Sequence, residues 1–175
     1  MHKTCSLRLL ESSDLEFLER IENDTRLWKY SNTTEPYSNQ VLGIYIQNAK
    51  QDVVDVGQQR FVIVDSNSNK LGLIDLFDYE PKHARAAVGV VIVEEHRGMG
   101  YAKEGLQLLE KTAIQKLNLH QLYAGVSIEN APSRALFKAA GYVETAIKKD
   151  WSYYENQFHD EIIVQKFLNV QKKNN

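Results

Sequence analysis

Val93-Glu94-Glu95-His96-Arg97-Gly98-Met99-Gly100-Tyr101-Ala102 is the stretch on which the reading of this chain turns. An apolar run over 86–93 enters it as a strand, two glycines bend it, and an amphipathic pattern leaves it as a helix. Gly98, Gly100 and the small Ala102 let the backbone wrap closely around an oxyanion, and the free first-turn amides carry the positive end of the helix dipole. A pyrophosphate suits such a turn, and Arg97 adds a charged donor. The same glycines would serve equally well in a bare strand-to-helix connection. Two other phosphate motifs are excluded, because no Lys-Ser/Thr pair follows and the third glycine of a dinucleotide fingerprint would have to stand at Lys103.

Outward from this turn the pattern is regular. Ala102, Leu106, Leu109, Ala113 and Leu117 share one face of a helix that ends near Asn118. A strand over 121–128 follows, then a helix over 130–140 capped by Asn130 and stopped by Gly141. Two last strands, over 142–148 and 161–168, flank an aromatic segment from Trp151 to Phe158. Upstream, three antiparallel strands are expected from Arg60 to Val93, with turns at Asp65-Ser66-Asn67-Ser68-Asn69 and around Pro81. Two helices precede them, one opening at Ser12-Ser13-Asp14 and one at Ser38-Asn39-Gln40, with a broken segment between. The order predicts an α/β (α+β) chain with one mixed sheet and excludes a doubly wound nucleotide fold, which would alternate strand and helix throughout.

Composition narrows the function. With 21 basic and 23 acidic residues among 175, the charge advertises neither nucleic acid nor an anionic membrane, and a small molecule is the expected partner. The single cysteine, Cys5, makes neither a disulfide nor a zinc site, and no metal is expected. The chain shows no signal-like start and no apolar run of membrane-spanning length, so a cytoplasmic location is expected. One domain over 1–170 is anticipated, with residues 171–175 as a disordered tail.

A second constellation, Asn130-Ala131-Pro132-Ser133-Arg134-Ala135-Leu136-Phe137-Lys138-Ala139-Ala140-Gly141-Tyr142, opens a helix one strand after the glycine turn. Together the two resemble the GNAT superfamily of N-acetyltransferases. Its R/Q-x-x-G-x-G/A motif matches Arg97, Gly100 and Ala102, and its N-x-x-S-x-x-L-F/Y-x-x-x-G-F/Y motif matches Asn130, Ser133, Leu136, Phe137, Gly141 and Tyr142. Glu35-Pro36-Tyr37, Arg60-Phe61-Val62, the segment 71–76 and Glu95-His96-Arg97-Gly98 are similar to bacterial spermidine N-acetyltransferases. Much of that likeness is shared with ribosomal-protein N-terminal acetyltransferases.

The resemblance implies a mostly antiparallel sheet flanked by helices, with splayed central strands. It also implies transfer of acetyl from acetyl-coenzyme A to a primary amine, a polyamine or diamine first, within a homo-oligomer. Alternatives are a protein N-terminus or an amino sugar as acceptor, or a non-catalytic acetyl-coenzyme A-binding module. The cofactor is expected along the strand edge Val90, Val91 and Ile92. Its other expected contacts are the turn residues Arg97, Gly98, Met99, Gly100, Tyr101, Ala102 and Lys103, together with Asn130 and Ser133. Phe137 stands where many relatives carry a tyrosine that protonates the leaving thiolate, so that either Ser133, water or a tyrosine from elsewhere such as Tyr142 supplies the proton, or the thiolate leaves unassisted. Asp75 interrupts the apolar set Leu71, Leu73, Phe77 and is the candidate base, and Glu35, Asp75 and Asp78 are candidate acceptor ligands. Trp28, Trp151, Tyr153 and Tyr154 are candidates to roof the acceptor pocket, and His83 and His96 read as surface residues.

Overall fold

The structure, a computed structural model, describes residues 4–168, so the tail expected over 171–175 lies outside the described residues. Among these residues seven strands form one sheet: β1 (Cys5–Leu9), β2 (Gln59–Asp65), β3 (Lys70–Glu80), β4 (Arg85–Ile92), β5 (Gln121–Ser127), β6 (Val143–Tyr154) and β7 (Gln157–Phe167). Their order is β1-β2-β3-β4-β5-β7-β6, antiparallel throughout except for the parallel pair β4 and β5. Among the described residues the α-helices are α1 (Leu15–Glu22), α2 (Thr25–Trp28), α3 (Asn39–Asn48), α4 (Val53–Val56), α5 (Tyr101–Leu117) and α6 (Ala131–Ala139). The expected α+β architecture is present. Among the described residues no helix is long and apolar enough to cross a membrane.

The sheet separates two apolar layers. On one side α5 buries Leu106 and Leu109 against Ile63, Ile74 and Leu122, all fully buried. On the other, α1 and α3 place Leu18, Leu42 and Ile46 on Val62 and Leu73. Truncating one of these fully buried leucines to alanine should cost about 2–5 kcal/mol.

Three details depart from the sequence reading. The N-terminal strand β1 was not anticipated; its five residues carry only one clear alternation, and they order by pairing along the edge of β2, Leu7 opposite Ile63. The aromatic segment does not separate two short strands but forms the tip of a long β6–β7 hairpin. It turns at Glu155 and Asn156, both at positive φ (51° and 61°), without the glycine that usually marks such a turn. Finally, a register shift opposite Ile63 and Val64 breaks the alternation of β3. Leu71 therefore joins Ile74 and Leu76 on the α5 side, while Leu73 and Asp75 face α1 and α3.

Candidate active site

β4 and β5 are hydrogen-bonded through three register positions, Arg85 with Gln121, Ala86 with Leu122 and Ala87 with Tyr123. Beyond Ala87 and Tyr123 the two strands part, and Val88 to Ile92 and Ala124 to Ser127 turn facing edges toward a cleft of about 2090 Å³. That space exceeds a single small-ligand pocket, typically about 300–1,000 Å³, and has room for a long cofactor and an acceptor together. Val90, Val91 and Ile92 line it, and their side chains are occupied in packing. Only main-chain donors and acceptors of this edge are left to meet a ligand, which is what an added extended segment requires.

The open end of β4 leads through a single turn of 3-10 helix over Glu94–His96 into the glycine turn. Gly98 and Gly100 sit at φ 72° and 89°, a region costly for other residues, and a Cβ built at either position would meet nothing within 4 Å. Internal packing therefore does not demand the space around them. Among the described residues no side chain caps the start of α5, so its first amides stay available to an anion. Arg97 folds back, its Nε donating to the Ile92 carbonyl at 3.0 Å, which ties the turn to the end of β4. Two glutamates just before an anion site would oppose it, but each is matched from the opposite layer: Arg20 with Glu95 at 3.1 Å and Arg26 with Glu94 at 2.9 Å. Gly98, Gly100, Tyr101, Ala102 and Lys103 all border the cleft. Met99, 44% exposed, is not among its lining residues.

Across the gap, Asn130 caps α6 by accepting from the Ser133 amide at 3.2 Å, and both residues also line the cleft. Phe137 is 3% exposed and packs edge-on against Tyr142 with ring centroids 5.0 Å apart. Tyr142 lies behind it, away from the cleft. Burial, with Glu110 beside it, pushes its phenol well above the ordinary tyrosine range, which makes it a packing residue rather than a proton donor to this space.

The face of the gap beneath α1 and α3 is polar. Asp75 stands opposite Gly89 of β4, where the strands begin to part. Both of its oxygens are engaged by Arg60, which also pairs with Glu22 and lies over the Tyr45 ring at 5.3 Å. Asp75 is thus held in a Glu22–Arg60–Asp75 triad with one surplus negative charge, not presented as an isolated base. Across the gap Glu161 folds over Gly125, whose missing side chain makes room for the carboxylate 2.5 Å from where a Cβ would stand. Lys148 pairs with Glu161 at 2.8 Å while lying 4.0 Å from the Trp151 ring centroid. Asp78 is exposed at a bulge, at φ 48°, with the Tyr123 hydroxyl 3.5 Å away. Glu35 is exposed on the loop that follows the cleft-lining Thr33 and Thr34 and does not itself line the cleft. Trp28, Trp151, Tyr153 and Tyr154 line the acceptor side. His83 is exposed in its turn, whereas His96 borders the cleft beside Tyr101.

Glu22 and Glu161 were not singled out from the sequence. Glu161 shares a face of β7 with Ile163 and Gln165, opposite the buried Ile162 and Val164, so an acid beside this apolar run was the available signal. Cys5 is no nucleophile, because burial and neighbouring Glu104 push its thiol up to about 12. Among the described residues no group of three or more acidic, His or Cys side chains is placed to hold a metal.

A sheet that parts at one parallel pair, with an uncapped helix start at the open end, defines an acyltransferase fold, and residues 5–143 match the acetyltransferase (GNAT) domain model. The chain belongs to that family. Within it, the chain is 27% identical over 175 residues to spermidine N(1)-acetyltransferase of Vibrio cholerae serotype O1, covering 97% of this chain and 98% of the relative. It is 28% identical over 138 residues to the Escherichia coli K12 enzyme of the same name, covering 78% and 71%. Among solved structures, the V. cholerae spermidine N-acetyltransferase in complex with CoA and spermine superposes with a TM-score of 0.83 at 25% identity, covering 95% of this chain and 96% of that one. The dodecameric structure of that enzyme in an intermediate state gives 0.77 at 26% identity, covering 94% of each chain.

Proposed function

We propose that this chain, over 1–170 as one catalytic unit, transfers acetyl from acetyl-coenzyme A to a primary amine of a polyamine or diamine. The observation that carries the acceptor class is the pair of carboxylates that line the cleft on either side of the strand gap, Asp75 beside Gly89 and Glu161 over Gly125; Arg60 and Lys148 each offset one of them, and Glu22 leaves the set with a net negative charge. Cationic amines are drawn to such a face, and the aromatic residues above it accommodate the methylene spacers and the ammonium groups. The relatives named for spermidine support the same choice.

Bound acetyl-coenzyme A supplies the acetyl group already activated as a thioester. The chain's residues do the rest. The edge Val90, Val91 and Ile92 aligns the pantetheine arm through its main chain, and the turn from Arg97 to Lys103, with Asn130 and Ser133, holds the phosphate end. A β4 amide beyond Ala87, where β5 no longer pairs, would polarise the carbonyl oxygen. Arg60 keeps Asp75 and Glu22 fixed while they orient the incoming amine, and Asp78 and Glu35 extend the acidic rim for a longer polycation. Phe137 excludes water behind the reacting centre.

We infer a homo-oligomer, supported by the dodecameric relative and by the exposed Val143, Ile147, Tyr153 and Phe158 on the terminal hairpin. A cytoplasmic setting accords with a single, half-buried cysteine. The deciding experiment is thiol release over an amine panel. Turnover of spermidine, spermine or putrescine is expected, and turnover of a peptide amine or amino sugar alone would reject the polyamine reading. Binding of the cofactor without turnover of any amine would mark a non-catalytic module.

A further inference from the structure

One polar cluster on the acceptor side has no part in the assignment above beyond the ring of Tyr154. Ser127 closes β5, and its Oγ lies 3.1 Å from the Tyr154 hydroxyl, which donates onward to Glu129 Oε2 at 3.3 Å. His159, only 4% exposed, lies flat against the Tyr154 ring, with centroids 3.6 Å apart and planes 1° from parallel. Its Nδ1 meets the same Glu129 oxygen at 3.1 Å, and its Nε2 faces the Tyr154 carbonyl at 3.2 Å. Ser127 and Tyr154 line the cleft, whereas Glu129 is 56% exposed at its outer end. The other titratable groups nearby are Lys29 and Glu155, which pair with each other at 3.9 Å, and Tyr30, whose ring centroid lies 5.2 Å from the Lys29 ammonium.

We propose that Ser127, Tyr154 and Glu129 form the path by which the acceptor amine loses its proton. This rests on the acetyltransferase reading of the cleft and supplies the base that Asp75, already locked to Arg60, does not. Ser127 Oγ takes a proton from the acceptor nitrogen as its own proton passes to Tyr154 Oη, and the Tyr154 proton passes to the Glu129 carboxylate. The nitrogen keeps the lone pair that forms the new C–N bond. As the C–S bond breaks, the sulfur leaves with the bonding pair and takes, through water, the second proton that the nitrogen sheds on becoming the amide, while Glu129 returns the first proton to solvent. One proton enters and one leaves at each hydroxyl, so neither Ser127 nor Tyr154 ionises. Burial holds the Tyr154 phenol above its ordinary range, in keeping with a group that hands a proton on rather than giving it up. His159 fixes both the ring and the carboxylate.

Tyr154→Phe keeps the stack on His159 and removes the hydroxyl alone. It should retain coenzyme A affinity and melting temperature while lowering kcat/KM for spermidine about 10–100-fold near neutral pH. The deficit should shrink as pH approaches about 10, where the amine arrives neutral. Glu129→Gln, on an exposed residue, should reproduce the effect. Equal kcat/KM, or a deficit constant across pH, would overturn the relay and leave the acetyltransferase reading standing. An unsubstituted protein that binds and turns over no amine would sink the acceptor reading, and the relay with it.

Discussion

Arg60 grips Asp75 as a two-point fork, with Nη2 to Oδ2 at 3.0 Å, while its other amino group reaches Glu22 on α1. The fork joins the sheet to the helical layer, and all three side chains are about four-fifths shielded from water. Removing the cation strands two carboxylates at close range. Arg60→Met should therefore cost about 3–5 kcal/mol of stability. Denaturant unfolding checks this, and a loss below about 1 kcal/mol would mean that solvent already screens the triad.

Gly100 faces open space at φ 89°, so two effects of one substitution can be separated. Gly100→Ala should lose about 1–2 kcal/mol of stability from the left-handed backbone alone. Coenzyme A affinity should fall at least about tenfold as well, because the new methyl enters the volume left for the phosphates. Equilibrium binding of coenzyme A and of adenosine 3′,5′-bisphosphate would show both weakened. Unchanged affinity would place the anion elsewhere.

Asp14 is fully buried between Arg8 at 2.7 Å and Lys70 at 2.8 Å and accepts the Glu11 amide. Burial alone would raise its carboxyl, but the cationic partners and the amide outweigh it and hold the group far below the usual carboxylate range. A depressed folded-state value means that its stabilisation is complete above the unfolded value of about 3.9 and is lost as pH falls below it. Unfolding midpoints should thus drop steeply below about pH 4. In Asp14→Asn the neutral-pH midpoint should be lower and that part of the acid slope absent.

Gly125 is required for room rather than for backbone freedom. Gly125→Ala places a methyl on the Glu161 carboxylate, which must swing away from Lys148. The expected outcome is a raised KM for the polyamine, about threefold to thirtyfold, with the affinity for coenzyme A preserved. Steady-state kinetics with each substrate varied in turn would show whether the two change together.

The cofactor side was legible in the sequence because local rules act there. Gly98 and Gly100 announce a turn, and Asn130 followed by Pro132 announces a helix start, whatever the rest of the chain does. The acceptor side was not, since it is assembled by register. Asp75 reads as an isolated acid until Arg60 appears beside it on β2, and Glu161 becomes visible over Gly125 only once β7 is set against β5. The polar cluster around Tyr154 was equally hidden, because nothing local to Tyr154 reveals Ser127 and Glu129 as neighbours. The missed β1 follows the same logic, for a five-residue edge strand owes its order to its partner.

Three rungs between β4 and β5 leave the molecule with a zipper closed at one end only. The strands on either side are each well knit, and what is wanting lies between them. A guest seated there would act as the missing teeth, so its affinity and the cohesion of the two halves are one quantity measured in two ways. At a hundredfold excess over its dissociation constant, such a guest adds about 2.7 kcal/mol to the folded state. The empty protein should accordingly breathe along this line, with amide hydrogens of β5 exchanging faster than those of β3 until the gap is filled.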